Sequence, residues 1–176
     1  MSQHVGTFQS KSIMENLYMV LDPWWITGFS DGEGCFHISF EKNPIRKLQF
    51  RVSFSISQNA SSYVSAIQKI AICFGSTGKT QNIRVDRHTV KYETRNVDHI
   101  VNSIIPHFEK YPLQSNKQYD FEKFKEICFF IKSEKPLSKE SKLLILYLSF
   151  EMNLDENKQS RRQYPKSYYI QILEKE

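Results

Sequence analysis

Two carboxylates lie at the end of a segment that is rich in glycine, Trp25 to Gly34, which holds three of the six glycines of the chain. Gly28 and Gly32 are four positions apart, so on a helix they would occupy one face and let a second helix backbone approach closely. Asp31 and Glu33 would then lie at the end of that helix, beside its partner. The segment therefore places acids next to a possible helix–helix contact.

Such an arrangement could bind divalent cations. If the partner is the same helix from a second copy of the chain, two-fold symmetry brings the two Glu33 carboxylates together. Like charges at close range repel each other unless protons or cations lie between them. A pair of Mg²⁺ ions, which prefer oxygen ligands, would remove that repulsion. The spacing alone is equally compatible with a helix that ends in an ordinary glycine-rich turn with solvated acids.

The segment sits in a regular succession of predicted helices and strands. Asp22 is a good N-cap and Pro23 suits the first helical position, so a helix is predicted from Pro23, and Gly32 and Gly34 are expected to end it. Strands are predicted where apolar and polar residues alternate, and helices where apolar residues recur every three to four positions. The predicted helices cover 23–31, 60–74, 98–110, 116–132 and 138–152, and the predicted strands cover 35–42, 48–58, 79–86 and 89–97.

This order predicts an α+β fold of the type αββαββα, with a four-stranded antiparallel sheet backed by helices on one face. Three parts of the chain are expected: an N-terminal tail at 1–21, a single domain at 22–152 and a basic C-terminal extension at 153–176. In the extension, Arg161 and Arg162 are expected either to bind phosphates or to belong to a disordered end.

Composition narrows the class of partner. The net charge of +5 and the pI of about 9.0 favour a polyanion, because basic side chains release counterions when they reach phosphates. Three widely spaced cysteines show no zinc-ligand spacing, which is typical of a protein from a reducing compartment. No apolar run is long enough to span a membrane, and no signal-peptide pattern opens the chain.

The stretch Ile26 to Gly34 resembles the LAGLIDADG motif of homing endonucleases, and an alternating strand follows it at once, as in that family. It departs from the motif at Thr27, at Ser30 and at Glu33, which keeps a carboxylate where the motif ends on Asp. The predicted order of elements across 22–152 is also similar to the fold of the family. The positions that correspond to the rest of the motif are Gly28, Asp31, Gly32 and Gly34, together with Glu33 as the second acid and Phe29 as an apolar exchange.

The resemblance implies a metal-dependent DNA endonuclease. In that family, paired motif helices form the interface between two such domains, and the last acid of each binds divalent metal at the scissile phosphates. Glu33 and the backbone carbonyl of Gly32 would bind the metal, Mg²⁺ by expectation, and both DNA strands would be hydrolysed to leave 3′ overhangs. The implied interface residues are Trp25, Gly28, Phe29 and Gly32.

Two further catalytic positions follow from the resemblance. Gln58, at the end of the second strand, matches a position that orients water near the metal. A lysine after the third long helix polarises the active site in the family, and Lys117 is the first choice, with Lys110 as its rival. Gln58 also has a plain alternative role, as a polar residue at the end of a strand.

The exposed face of the sheet would form a saddle in the DNA major groove. Arg suits guanine, Gln suits adenine and Ser can serve either kind of base, so polar residues on that face are candidates for base contacts. Two sheets with strands of about ten residues would read about twenty base pairs of double-stranded DNA. The nominated residues are Ser39, Gln49, Arg51, Ser53, Ser55, Arg84, Lys91, Glu93 and Arg95.

Only one motif is present, so the resemblance implies a homodimer that cuts a near-palindromic site. Two other uses of the same fold stay open: a maturase that binds intron RNA, and a DNA-binding regulator without activity. The carboxylate at Glu33 favours cleavage, since a pure binder needs no metal ligand there. Reading frames of this family often lie in introns of organelle genomes, so a mitochondrial or chloroplast location is expected.

Overall fold

Helices pack against one face of an antiparallel four-stranded sheet in the computed structural model, which describes residues 20–42, 47–76 and 82–176. The sheet has the strand order β1-β2-β4-β3, so β1 and β3 are its edges. The predicted α+β fold and its αββαββα order are confirmed. The strands are β1 Gly34–Lys42, β2 Leu48–Asn59, β3 Ile83–Asp86 and β4 Thr89–Thr94.

The helical layer contains six helices in the described ranges. The third is built from three consecutive pieces, of which the middle one is a π-helix; we treat it as one element because the backbone stays helical throughout. The helices are α1 Pro23–Glu33, α2 Ala60–Cys73, α3 (Val97–His99, Ile100–Ile104 and Ile105–Lys110), α4 Lys117–Ser133, α5 Lys139–Phe150 and α6 Lys166–Glu174. None of the helices in these ranges is long and apolar enough to cross a membrane.

The predicted alternation along the strands separates a buried face from an exposed one. Phe36 is paired with Phe54 and Ile38 with Val52 across β1 and β2, and all four are buried. Phe36 lies at the centre of an aromatic cluster, with ring centroids 5.1 to 5.4 Å from four other phenylalanines. The even-numbered residues from Phe36 to Phe40 and from Leu48 to Ile56 therefore face the core, and the odd-numbered residues between them lie on the outer face.

Helix α1 begins where it was predicted and ends two residues later. The Asp22 carboxylate accepts hydrogen bonds from the backbone N–H groups of Trp24 and Trp25, as an N-cap does. The helix continues through Gly32 to Glu33, so the prediction that Gly32 ends it is wrong. The backbone N–H of Gly34 donates to the carbonyl of Ser30, and the chain passes directly into β1.

Other predicted boundaries differ for local reasons. Strand β4 ends at Thr94 rather than at Val97, because the Asn96 side chain caps α3 by accepting from Asp98 and His99 N–H groups. Residues 1–19 of the predicted N-terminal tail and residues 79–81 at the start of the predicted third strand lie outside the described residues.

The C-terminal segment is part of the packed domain. It contains α6, which was not predicted, and Leu173 of that helix lies fully buried in the core. Arg162 is half-buried, and its guanidinium lies 4.1 Å from the centroid of the Phe40 ring. The expectation that Arg162 binds phosphates is therefore wrong, because its side chain is directed into the protein.

Candidate active site and nucleic-acid interface

The outer face of α1 is open. Trp25, Gly28, Phe29 and Gly32 fall at helical spacing on one side, and Trp25 is 42% exposed. The Trp25 and Phe29 rings stack with centroids 5.0 Å apart, so part of this face is aromatic. A Cβ atom added at Gly28 or at Gly32 would meet nothing within 4 Å. The four residues nominated for an interface thus share one exposed surface.

The inner face of α1 is tied to the rest of the domain. Thr27 is buried and its hydroxyl donates to the carbonyl of Tyr111 at 2.9 Å. The same hydroxyl lies 3.1 Å from Nε2 of His107, and since its proton is used, the ring nitrogen must be the donor. Burial lowers the pKa of His107 to about 4, so the ring is neutral at physiological pH.

Asp31, the first acid of the motif, makes several hydrogen bonds within the chain. Its carboxylate accepts from the backbone N–H groups of Gln114, at 2.8 Å, and Ser115, at 3.1 Å, and also from the Ser115 hydroxyl. Ser115 Oγ in turn accepts from the backbone N–H of Lys117 at 3.1 Å. Asp31 therefore connects the end of α1 to the start of α4.

That connection brings Lys117 to the end of the motif. Its ammonium donates to the carbonyl of Ser30 at 3.1 Å and to that of Gly32 at 3.3 Å. Partial burial lowers the pKa of Lys117, while the negative charges of Asp31 and Glu33 oppose that change. Lys110, the rival candidate, lies instead over the ring of Tyr111 at 5.3 Å, so the geometry favours Lys117.

Glu33 and Gln58 lie at the same end of the sheet. Glu33 is exposed and directly precedes β1, whose first residue, Gly34, is paired with Ile56. Gln58 is two residues further along β2, and its Oε1 accepts from the backbone N–H of Asn59 at 2.8 Å. In the described ranges no three His, Cys, Asp or Glu side chains cluster as a metal site.

The oxygen donors at this end of α1 fit a hard cation. The Glu33 carboxylate is exposed, and the carbonyl of Gly32 is accessible enough to accept the ammonium of Lys117. Carboxylate and backbone carbonyl oxygens are the ligands that Mg²⁺ takes in proteins. The residues nominated for metal binding are therefore chemically suitable, and Lys117 would lie next to the bound ion.

The nine residues nominated for base contacts lie on the exposed face of the sheet or at its rim. Register places Ser39 opposite Arg51 across β1 and β2, and Ser55 opposite Glu93 across β2 and β4. Arg95 follows the last residue of β4 and still reaches Glu93. The other nominated residues on this outer face of the sheet are Gln49, Ser53, Arg84 and Lys91. We name this outer face the reading face, after the base contacts predicted for it.

Charged residues on the reading face are paired with one another. Glu93 lies 2.8 Å from Arg84, 3.0 Å from Lys91 and 3.3 Å from Arg95. Partial burial acts to raise the pKa of Glu93, but the Lys91 hydrogen bond and the three cationic charges outweigh it, so the pKa lies below its ordinary value. One carboxylate thus holds three cations together near the β3–β4 end of the face.

His37 and Ser57 are among the residues on the reading face that were not nominated. His37 is paired with Ser53, and Ser57 with Lys91, so both belong to the outward-facing set. Burial and, to a lesser extent, the charge of Arg162 lower the pKa of His37, which keeps the ring neutral. The alternation of β1 and β2 was a sufficient signal for both residues. The hydrogen bonds of Asp31 had no comparable signal, because they depend on a loop 83 residues further along the chain.

Sequence comparison identifies relatives among fungal proteins. The profile of the LAGLIDADG endonuclease family matches residues 26–128. The chain is 33% identical to probable intron-encoded endonuclease 2 of Neurospora crassa over 149 residues, which is 82% of this chain and 32% of that protein. It is 31% identical to probable intron-encoded DNA endonuclease 1 of Mycosarcoma maydis over 117 residues, covering 65% of this chain and 41% of the relative. The chain thus spans less than half the length of these relatives.

Solved structures show the same fold. The homing endonuclease I-TnaI is 26% identical with a TM-score of 0.70, and the match covers 89% of this chain and 99% of that one. The LAGLIDADG homing endonuclease I-GzeII, solved in complex with its DNA target, is 34% identical with a TM-score of 0.68, over 76% of this chain and 45% of that one. Together with the motif at the end of α1, these matches establish that the chain belongs to the LAGLIDADG endonuclease family.

Proposed function

We propose that this protein is a site-specific endonuclease that hydrolyses double-stranded DNA with Mg²⁺ and acts as a homodimer. The observation that carries the proposal is the position of Glu33: it lies at the end of an open helix face and beside an exposed, polar sheet face. The relation to intron-encoded DNA endonucleases and to a structure solved with its DNA target supports the choice of duplex DNA.

The case for a second copy rests on the outer face of α1. Gly28 and Gly32 leave space that no residue of the described chain fills, and the exposed Trp25 ring stacks on the partly buried Phe29 ring beside it. Removing this apolar face from water by contact with a partner would be favourable. Two-fold pairing of like helices would also bring two Glu33 carboxylates together. A second copy therefore supplies both the missing contact and the other half of the active site.

The chemistry divides among a small number of side chains. Glu33 and the Gly32 carbonyl would hold the ion, which, when bound, activates a water molecule and stabilises the charge on the leaving oxygen. Lys117 is held beside that carbonyl and presents a positive charge towards a phosphate bound there. Gln58 is proposed to orient the attacking water by a hydrogen bond from its amide. A scissile phosphate bound to the ion would thus also lie close to the ammonium.

The sheet would select the DNA sequence. Serine hydroxyls, Gln49 and the arginines present donors and acceptors that match base edges in the major groove. The cations now held by Glu93 would be available to DNA when phosphates or guanines compete for them. By the same reasoning from its relatives, one of which is described as lying in ND4 intron 1 of Podospora anserina, we propose that the chain is encoded in an organelle intron.

The test is cleavage of a randomised duplex pool by the protein and by its Glu33→Gln variant, with and without Mg²⁺. The proposal predicts that one long, near-palindromic sequence is depleted only by the parent protein and only with the metal. Binding of a duplex without cleavage under any condition would contradict it and would make intron RNA the next ligand to test. Equal cleavage by the variant would remove Glu33 from the active site.

A further inference from the structure

The segment that follows α5 lies along the outer edge of β1. The Asn153 amide donates to the carbonyl of Phe36 at 2.7 Å, and the Arg162 guanidinium donates to the carbonyl of Ile38 at 2.9 Å. Since β1 is an edge strand, these carbonyls point away from the sheet. The segment 153–163, which we name the edge segment, therefore occupies the place of a neighbouring strand without forming one.

Its two adjacent arginines have different surroundings. Arg162 also donates to the carbonyl of Ser149 at 2.9 Å, and its guanidinium lies over the rings of Phe40 and Phe150. Burial lowers the pKa of Arg162 to about 10. These contacts lie on the core side of β1, where they fix the edge segment to the domain. Arg162 is thus an anchor, whereas Arg161 is exposed.

Arg161 borders the reading face. It lines a cleft of about 540 Å³ that His37 and Ser39, both on the outer face of β1, also line. Within the described residues Arg161 has no carboxylate partner, in contrast to Arg51, which is held by Glu41 at 2.7 Å. The Arg161 guanidinium therefore has no intramolecular ion pair to break when a phosphate approaches.

The width of the sheet indicates which part of DNA the edge segment meets. Four strands at about 4.8 Å spacing place the outer two roughly 14 Å apart. The major groove is about 12 Å wide. A residue one strand spacing beyond β1 would therefore lie at the groove wall, where the phosphates are, rather than over base edges.

The edge segment is also ordered in advance. The Asp155 carboxylate accepts hydrogen bonds from the backbone N–H groups of Asn157 at 2.9 Å and of Gln159 at 2.8 Å. These bonds close a turn between Asn153 and Arg162, the two residues that bind β1. Leu154 and Ser160 form an isolated antiparallel bridge across that turn. DNA binding would therefore order little of this backbone, which reduces the entropic cost of the contact.

We infer that Arg161 binds a DNA phosphate at the wall of the major groove next to β1, as a contact that adds affinity without base specificity. This inference rests on the proposed function, because it needs the reading face to bind duplex DNA. It adds to the DNA interface a residue that lies outside the sheet. Within the edge segment, Arg162 then fixes the backbone to the domain, and Arg161 contacts the DNA phosphate.

The test is the salt dependence of binding to a labelled random-sequence duplex of about 25 base pairs, a length that exceeds the two-sheet footprint. Removal of one phosphate contact should reduce the slope of log K against log salt by about 0.9 for each bound copy. The affinity of Arg161→Ala should fall by roughly tenfold per copy, the scale of one charge-assisted hydrogen bond. Arg161→Lys should retain most of the slope.

Lys123→Ala is the matched control, since it removes the same charge from α4 in the helical layer. A parent protein that binds the duplex, together with equal slopes for Arg161→Ala and this control, would overturn the role of Arg161 and leave the proposed function intact. A parent protein that binds no duplex at any salt concentration would overturn both. A loss of affinity for the selected cleavage site without a loss for the random-sequence duplex would contradict phosphate binding and point to a base contact.

Discussion

The glycines of the motif have different steric surroundings on the two sides of α1. On the inner side and at the C-terminal end, a Cβ added to Gly34 would lie 2.5 Å from the carbonyl oxygen of Ser30, so only glycine fits there. On the outer side, Gly28 and Gly32 have empty space beside them. Gly34 is thus required by the fold of this chain, whereas the described chain would accommodate a side chain at Gly28 or Gly32, the two positions at which we propose that a second helix packs.

The two acids of the motif differ in the same way. Asp31 accepts hydrogen bonds from the loop before α4 and so belongs to the fold. Glu33 is exposed at the end of the outer face. Substitutions that exchange an acid for its amide should therefore affect mainly stability at Asp31 and mainly activity at Glu33.

The largest effect is expected for Glu33→Gln. Loss of a charged group at the proposed metal site should lower the cleavage rate by roughly a hundredfold to a thousandfold, since a single preorganised group at the reacting centre contributes on that scale. The free energy of unfolding should stay within about 0.5 kcal/mol of the parent value, because the side chain is exposed. Single-turnover cleavage and urea unfolding measure the two quantities, and a large loss of stability would place Glu33 in the fold instead.

Gly34→Ala should destabilise the chain by about 2–3 kcal/mol, because the new Cβ would force the backbone of Ser30 or of β1 to move. Gly32→Ala is its matched control and should leave the isolated chain as stable or up to about 1 kcal/mol more stable, since alanine favours a helix. Thermal unfolding at low protein concentration distinguishes the two. Equal losses at both positions would contradict the division between the sides of α1.

Asp31→Asn should cost about 1–2 kcal/mol of stability, since the amide keeps one acceptor but places an NH₂ group against N–H donors. It should also slow cleavage by less than Glu33→Gln does, because it loosens the loop that positions Lys117 rather than removing a metal ligand. Urea unfolding and single-turnover kinetics measure both. A variant as stable as the parent but as inactive as Glu33→Gln would make Asp31 a direct catalytic residue.

A smaller effect concerns the neutral ring of His107. Its folded pKa of about 4 lies below its ordinary value of 6.5, so the unfolded chain takes up the proton first as the pH falls. The stability that the neutral ring allows is fully present above about pH 6.5 and should fall by about 1 kcal/mol towards pH 4, after allowance for solvent screening of this partly exposed group. His107→Gln should show a flatter pH profile of unfolding, and identical profiles would contradict the burial effect.

Much of this architecture could be predicted because it depends on local patterns. The alternation in β2 indicated both its buried residues and its exposed ones, and Asp22 with Pro23 marked the start of α1. The end of β4 was missed by a few residues because the Asn96 cap competes with continued pairing. Helix α6 was missed because its stability depends on docking Leu173 into a core built from distant residues.

The site was predictable to the extent that it lies within one motif. The motif indicated Glu33 and the glycines, and the structure places Lys117 beside them, although the catalytic roles stay predictions. The bonds of Asp31 to Ser115 and of Arg162 to Ile38 join residues 84 and 124 positions apart. No pattern of neighbouring residues could have revealed them, because they exist only once the chain has folded.

The most direct test of the central claim, that two copies complete one active site, is sedimentation equilibrium of the protein bound to the duplex that it selects, without Mg²⁺ so that no cleavage occurs. The chain has a mass of 20.8 kDa. The proposed function predicts a complex that contains two chains per duplex. It also predicts that Gly28→Leu lowers the amount of this two-chain complex, because the leucine side chain fills the space for the second helix. A single chain per duplex that cleaves both strands when Mg²⁺ is added would contradict it.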